Sequence, residues 1–424
     1  MKVILNVFIS IFFFIQVGYS QDDIQLDLFE LPDVIFKEIE TPEGYQSAYE
    51  LKIKQPIDHN NPSNGHFYQR VWLSHKDYDS PTVLITNGYG ADRNIVAEIT
   101  QYLQANQISV EHRYFLESSP ENMDYDYLSF EQVTADLHRI NMLFKEIYSG
   151  KWIASGISKG GSTSILYRYF YPDDVDVTVP YVAPIKFSKE DSRIYDFLDN
   201  MGTEQCRTDI ENYQKSLFNH SDELKERLTW YYKGKGLKFS YLTFDEAYEY
   251  AILEYPFSFW QYGHDCALIP DDNAGTDEQL SHFIDIVGMD LFSDRDMRAY
   301  GSHYYQAGTQ MGYYGYEIDE FKELLKYLPT DKNPSAIFMP DKIERPFDGK
   351  LIKKVYEWAL TADRMVYING ALDTWSAAAI PANDKVNSLY YFLEGKDHAT
   401  ARIRNMTESE LVLLQSKMKE WLYD

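Results

Sequence analysis

The chain has 424 residues, with 40 basic and 66 acidic side chains and a formal charge of −26. So acidic a surface repels nucleic acid and anionic lipid, which excludes both as partners without constraining the fold. The 36 tyrosines are too many for a disordered chain and point to aromatic-lined surfaces or to a cleft facing peptide or carbohydrate.

Residues 1–20 read as a secretory signal, with Lys2 as the charged start, an apolar run over 3–17 and small residues in Gly18-Tyr19-Ser20. That run is too short and too terminal for a membrane span, and no later stretch is apolar enough to cross a bilayer. The expectation is an exported protein, secreted or periplasmic. In such an oxidising compartment the two cysteines, Cys206 and Cys266, most simply form one disulfide. At this length two structural units are expected.

Residues 21–44 read as an acidic arm lying on the domain. Alternation from Tyr49 to Lys54, a turn cluster over 58–65 and renewed alternation over 67–74 predict a β-hairpin. The apolar run 82–86 predicts a buried strand that ends in the loop Asn87-Gly88-Tyr89-Gly90. A helix over 94–103 and a strand over 108–110 follow, then a helix over 129–148 opened by a capping box in Ser129-Phe130-Glu131-Gln132. Strands are expected at 151–154 and 175–182. Strands and helices thus alternate from 82 to 182, the pattern of a parallel sheet with crossover helices.

The rhythm then changes. Residues 188–348 are helical, charged and aromatic, with helices at 222–235 and 244–255 and a Tyr-, Gly- and Gln-rich stretch at 302–316. The sheet pattern resumes with a strand at 364–369, a helix near Ile380, a strand at 389–393 and a closing helix over 408–422. The expected organisation is an α/β sheet domain built from 21–187 and 349–424, with a largely helical unit at 188–348.

Within that frame, Gly156-Ile157-Ser158-Lys159-Gly160 matches Gly-x-Ser-x-Gly between a predicted strand and a predicted helix. This is the context of a nucleophile elbow, where glycines admit a turn too tight for β-carbons. A serine hydroxyl needs a base to take its proton, and the base needs an acid to orient it. In the α/β-hydrolase arrangement acid and base follow the serine in that order, at the ends of late strands. Asp373 lies just after the strand at 364–369, and His398 lies 25 residues on, just after the strand at 389–393. Asp397 is the rival acid, but it adjoins His398 and would strain to reach the far side of the imidazole. Asp373 can also be read as a helix cap and His398 as a turn residue. The expected oxyanion donors are the backbone N–H of Lys159 and an N–H from the loop containing Tyr89 and Gly90. The Lys159 side chain reads as a surface or supporting cation. No Walker loop, Gly-x-Gly-x-x-Gly or His-Glu-x-x-His occurs, so neither metal nor cofactor is expected.

Several stretches together carry a family resemblance. Gln55-Pro56-Ile57-Asp58-His59, Phe67-Tyr68-Gln69-Arg70 and Glu111-His112-Arg113-Tyr114-Phe115 resemble the opening of the lysosomal Pro-X carboxypeptidase and dipeptidyl-peptidase group. The elbow Gly156 to Gly161, Asp373-Thr374-Trp375-Ser376 and the stretch from Asp397 to Arg402 are closer to the secreted bacterial prolyl tri/tetrapeptidyl aminopeptidases. That resemblance implies an α/β-hydrolase domain with an inserted helical cap, and release of tri- or tetrapeptides from free N-termini, often after proline. It carries over Ser158 as nucleophile, Asp373 as orienting acid and His398 as base. Such an exopeptidase needs a carboxylate for the substrate ammonium, and Glu254, Asp265 and Glu317 are the candidates. The other group's Cys-x-Glu segment is absent from Tyr305 to Gly312, so its disulfides and terminus preference do not transfer. An esterase or lipase, or a binding protein on the same fold, are the competing readings. A Tyr-, Gln- and charge-rich insertion and an intact Ser/Asp/His set favour the peptidase.

Overall fold

The computed structural model describes residues 24–271 and 273–423; the expected signal lies outside them. Nine strands among the described residues form one sheet: β1 Val34–Glu38, β2 Ser47–Pro56, β3 His66–His75, β4 Thr82–Thr86, β5 Asn106–Val110, β6 Trp152–Ile157, β7 Val177–Tyr181, β8 Val366–Gly370 and β9 Leu389–Leu393. Their order is β1-β2-β3-β5-β4-β6-β7-β8-β9. Pairing is antiparallel from β1 to β5 through β2 and β3, and parallel from β5 to β9. The parallel sheet expected from the alternation is present, and the fold is the α/β-hydrolase type that the resemblance implies.

Adjacent residues on a strand point to opposite faces. Val83 and Ile153 therefore enter one core, with Val177, Ile368 and the closing helix Glu408–Tyr423. Leu84, Trp152 and Ala154 enter the other, with Leu137, Ile140 and Phe144 of the helix Phe130–Lys145. Both faces are covered, which is why the central strands read as continuous apolar runs.

Four local expectations are revised. The arm contributes a helix, Ile24–Glu30, and the edge strand β1, whose residues pair along β2 from Ile53 to Tyr49. Its Val34-Ile35-Phe36 run leaves Ile35 exposed between two half-buried residues, so no alternation of polarity marks the strand and only the partner strand reveals it. The helix expected at 94–103 covers only Glu98–Leu103. The capping box is half formed. Ser129 accepts from Gln132 N, but the Gln132 amide turns instead to Asp58 and to the His59 N–H. No helix forms near Ile380; a 3-10 turn spans Thr374–Ala378, and irregular chain leads to β9.

Between β7 and β8 the chain leaves the sheet for a helical insertion. It is centred on the helix Phe244–Gln261, which opens with a complete capping box at Thr243 and Glu246 and contains Pro256. Glu204–Asn219, Ser221–Gly234 and Thr276–Ile286 pack around it over a core rich in Tyr and Phe. Cys206 and Cys266 form a disulfide within this insertion. The later helix Lys350–Ala359 returns to the sheet side, where Ile352 and Val355 share a core with Ile165 and Leu166. Among the described residues no helix is long and apolar enough to cross a membrane.

Candidate active site

Ser158 stands where β6 turns into the helix Lys159–Phe170, with φ 57° and ψ −126°. Such a backbone costs on the order of 1–3 kcal/mol and persists only where the surroundings enforce it. Here they do. A β-carbon on Gly156 would meet Thr86 O at 2.6 Å, and one on Gly160 would collide with the same oxygen. The two glycines let the elbow close on β4, and Thr86 Oγ1 donates to Gly160 O at 2.7 Å to hold it there.

His398 follows β9, and its Nδ1 lies 2.8 Å from Asp373 Oδ2 after β8. Asp373 is fully buried, and its other oxygen accepts from Trp375 N at 3.1 Å. Its capping and orienting roles are therefore simultaneous, one oxygen each. Asp397 is occupied elsewhere: its Oδ1 accepts from Ala399 N, Thr400 N and Thr400 Oγ1 in its own turn. The His398 backbone N–H donates to Gln261 O at 2.9 Å, which ties the imidazole's loop to the end of the insertion's central helix.

Ser158 and His398 line one cavity of about 360 Å³, together with Tyr89, Lys186, Glu254 and Trp375. Much of its wall comes from the insertion, including Tyr262, Tyr300, Tyr304, Tyr313 and Tyr314. With Tyr89, six of the 36 tyrosines line this cavity. Of the three candidate carboxylates, the structure brings only Glu254 to this cavity. Glu254 is buried, accepts from Tyr316 Oη at 2.7 Å and Tyr314 Oη at 3.0 Å, and burial raises its pKa to about 7 against the pull of those hydrogen bonds. Asp265 and Glu317 are corrections to the expected set. Asp265 is exposed and caps the short turn Cys266–Leu268 through Ala267 N. Glu317 is exposed on a different cavity, among Asp319, Glu320 and Asp199. Sequence could not rank the three because burial depends on which helix face meets the sheet.

The loop after β4 lies against the elbow: a β-carbon on Gly88 would meet Gly160 N at 2.6 Å. Tyr89 lines the cavity, whereas Gly90 lines the adjoining recess that also reaches Ser158. Of the two places expected for the Lys159 side chain, surface or supporting, the structure rules out the surface. Its side chain is buried, its Nζ donates to Gly88 O at 2.6 Å, and the rings of Tyr89 and Phe115 lie 5.3 and 5.0 Å from it. Burial drives its pKa well below the ordinary lysine value. Because Gly88 O and Tyr89 N belong to one planar peptide, this bond sets the direction of the Tyr89 N–H. The N–H of Lys159 opens a helix and has no partner within it. The Lys159 N–H adjoins the serine, and the Tyr89 N–H belongs to the loop that packs against the elbow.

The stretch around Glu111 supports this loop from behind. Glu111 Oε2 accepts from Ala91 N at 2.8 Å, and Trp72 Nε1 donates to Ala91 O at 2.8 Å. Arg113 is fully buried in a double hydrogen bond to Asp136, at 2.6 Å from Nε and 2.8 Å from a terminal nitrogen. It also donates to the Ile57 and Tyr127 carbonyls. The motif around residues 111–115 is thus scaffold rather than chemistry.

Sequence reasoning missed Lys186 and His303. Lys186 is buried at the cavity wall, its Nζ 4.7 Å from the ring of Tyr313 and 4.9 Å from that of Trp375, and burial lowers its pKa to about 8 against the opposing pull of Asp191 and Asp373. Burial and then the charges of Lys159 and Lys186 hold His303 well below the usual imidazole range. Neither carries a motif; Lys186 comes from the segment just after β7, and His303 is brought to the cavity by the insertion.

A serine at a strained elbow and an imidazole held by a buried carboxylate, facing one cavity, are the parts of a serine hydrolase. A family described as PS-10 peptidase S37 matches residues 20–404, and the chain belongs to it. The protein is a serine peptidase. It is 36% identical over 362 residues to a prolyl tri/tetrapeptidyl aminopeptidase of Streptomyces mobaraensis, covering 84% of this chain and 75% of the relative. A probable serine protease EDA2 of Arabidopsis thaliana is 24% identical over 209 residues, 44% of this chain and 43% of that one. Among solved structures, a proline iminopeptidase of Mycobacterium smegmatis superposes with a TM-score of 0.43 at 12% identity, over 88% of this chain and 99% of that one.

Proposed function

We propose that this protein is an exported exopeptidase that releases tri- or tetrapeptides from free peptide N-termini, with proline favoured before the scissile bond. The observation that carries this reading is Glu254, a buried carboxylate on the wall of the same covered cavity as Ser158 and His398. A carboxylate out of water is costly unless a cation joins it. A substrate ammonium is that cation, and the limited volume beyond Ser158 sets how many residues precede the cut. The named activity of the Streptomyces relative agrees with this.

In the proposed reaction Ser158 Oγ attacks the scissile carbonyl while His398 Nε2 takes its proton. Asp373 keeps Nδ1 protonated and stabilises the imidazolium. The N–H groups of Lys159 and Tyr89 receive the oxyanion. Collapse breaks the C–N bond, His398 gives its proton to the departing amine, and an acyl-enzyme remains on Ser158. Water, deprotonated by His398, then frees the short peptide.

The test is a matched fluorogenic pair with the mature protein: Ala-Ala-Pro-aminocoumarin with a free amine, and its N-acetylated twin. Cleavage of the free form alone is expected. Equal cleavage of both refutes the exopeptidase reading, and cleavage of simple esters alone replaces it with an esterase.

A further inference from the structure

A second depression of about 440 Å³ meets the covered cavity at Ser158 and Tyr89. No residue of the helical insertion lines it; its walls come from β4, β6, β7 and the segments following β4 and β9. Its lining is mainly apolar, and Ile95 and Ile157 stand at it 60% and 47% exposed. Two cations close one side. Arg404 is engaged by Glu98, which accepts from its N–H at 3.1 Å and its guanidinium at 3.3 Å. Arg402 is different. It is half-buried, its guanidinium lies 5.6 Å from the centre of the Tyr181 ring, and one terminal nitrogen donates to Ala401 O at 2.8 Å. No carboxylate lies in ion-pair contact with it among the described residues, in a chain with 66 acids.

We infer that this recess is the leaving-group subsite, which takes an apolar side chain directly after the scissile bond and a carboxylate on Arg402. The inference rests on the exopeptidase reading above. If the free amine sits with Glu254 in the covered cavity, the chain must cross Ser158 and leave on the side the insertion does not cover. That side is this recess. An exposed isoleucine pair gains from covering by an apolar side chain, at about 25 cal/mol per Å² removed from water. An arginine with open donors recognises a carboxylate by parallel hydrogen bonds. The carboxylate has two sources, the C-terminus of a short peptide or an Asp or Glu side chain close to the cut.

The experiment uses the mature protein and five peptides that share a free-amine Ala-Ala-Pro start. They continue as Leu with a free carboxylate, Leu-amide, Glu-amide, Lys-amide and Gly-amide, and kcat/KM is read by release of the second product. For the wild type, Leu over Leu-amide reports the C-terminal source and Glu-amide over Lys-amide the side-chain source. At least one ratio should reach about tenfold, the range for a hydrogen-bonded charge. Arg402→Met keeps an unbranched apolar stem and removes the guanidinium; it should bring that ratio to within about twofold. A general structural defect would slow all peptides alike and leave the ratio intact. Ile95→Ser, a surface change, should separately reduce the preference for Leu-amide over Gly-amide. Wild-type ratios near one for both carboxylate pairs, or ratios that survive in Arg402→Met, overturn the inference while leaving the exopeptidase reading standing. If none of the five is cut and the aminocoumarin pair is also inert, both fall.

Discussion

Replacing Glu254 by Gln separates binding from folding, because the two respond in opposite directions. Gln preserves an acceptor for Tyr314 and Tyr316 and removes the charge. Burial pushes the Glu254 carboxyl up to about 7 in the folded protein, from an ordinary 4.5. The folded state therefore retains a proton that the unfolded chain releases between pH 4.5 and 7, and stability falls as pH rises through that window. At 1.36 kcal/mol per unit the difference comes to roughly 3 kcal/mol, fully present above pH 7 and absent below 4.5. Glu254→Gln should therefore unfold at higher denaturant than the wild type at pH 8, and at nearly the same denaturant at pH 4.5. In activity the sign reverses. Losing one member of a buried charge pair costs about 2–5 kcal/mol, so kcat/KM on free-amine Ala-Ala-Pro-aminocoumarin should fall at least thirtyfold. The assays are urea melts at the two pH values and initial rates at pH 7.5. A stability gain with unchanged kcat/KM would mean that Glu254 is buried for another reason. No gain at pH 8 would mean that burying the Glu254 carboxylate carries no cost to folding.

Four further outcomes follow from the same geometry. Ser158→Ala should abolish turnover and leave the thermal melt and circular dichroism of the fold in place; surviving hydrolysis would displace the elbow from the mechanism. Asp373→Asn should lower kcat by about four orders of magnitude while substrate still binds, since the imidazole loses its tautomer rather than its position. Lys159→Met releases the Gly88 carbonyl and should lower kcat about tenfold with KM little changed; an equal rise in KM would assign Lys159 to substrate binding instead. The double change Cys206→Ser with Cys266→Ser opens a crosslink spanning 60 residues of the insertion and should cost roughly 4 kcal/mol, visible as a lower melting temperature.

The chemistry-bearing residues were legible in the sequence because they obey local rules. A nucleophile elbow must have its glycines within two residues of the serine, and acid and base must each follow a strand, so Ser158, Asp373 and His398 announce themselves by spacing. The central strands were equally legible, since burial on both faces makes their apolar runs continuous. The edge strand β1 was not, because its order comes from pairing along β2 and not from its own side chains.

Choosing among carboxylates lay beyond the sequence altogether. Glu254, Asp265 and Glu317 carry the same functional group, and only the docking of the helix Phe244–Gln261 over the sheet turns Glu254 inward and leaves the other two in solvent. Lys159 shows the same division within a single residue. Its place after the serine assigns its backbone N–H, but the path of the loop after β4 decides that its ammonium is buried against Gly88 O. Periodicity and spacing act over a few residues of chain, so they determine elements and the order of catalytic groups. The burial of Glu254 and Lys159, and with it their shifted pKa values, arises between segments some sixty or more residues apart, and only the packed structure decides it.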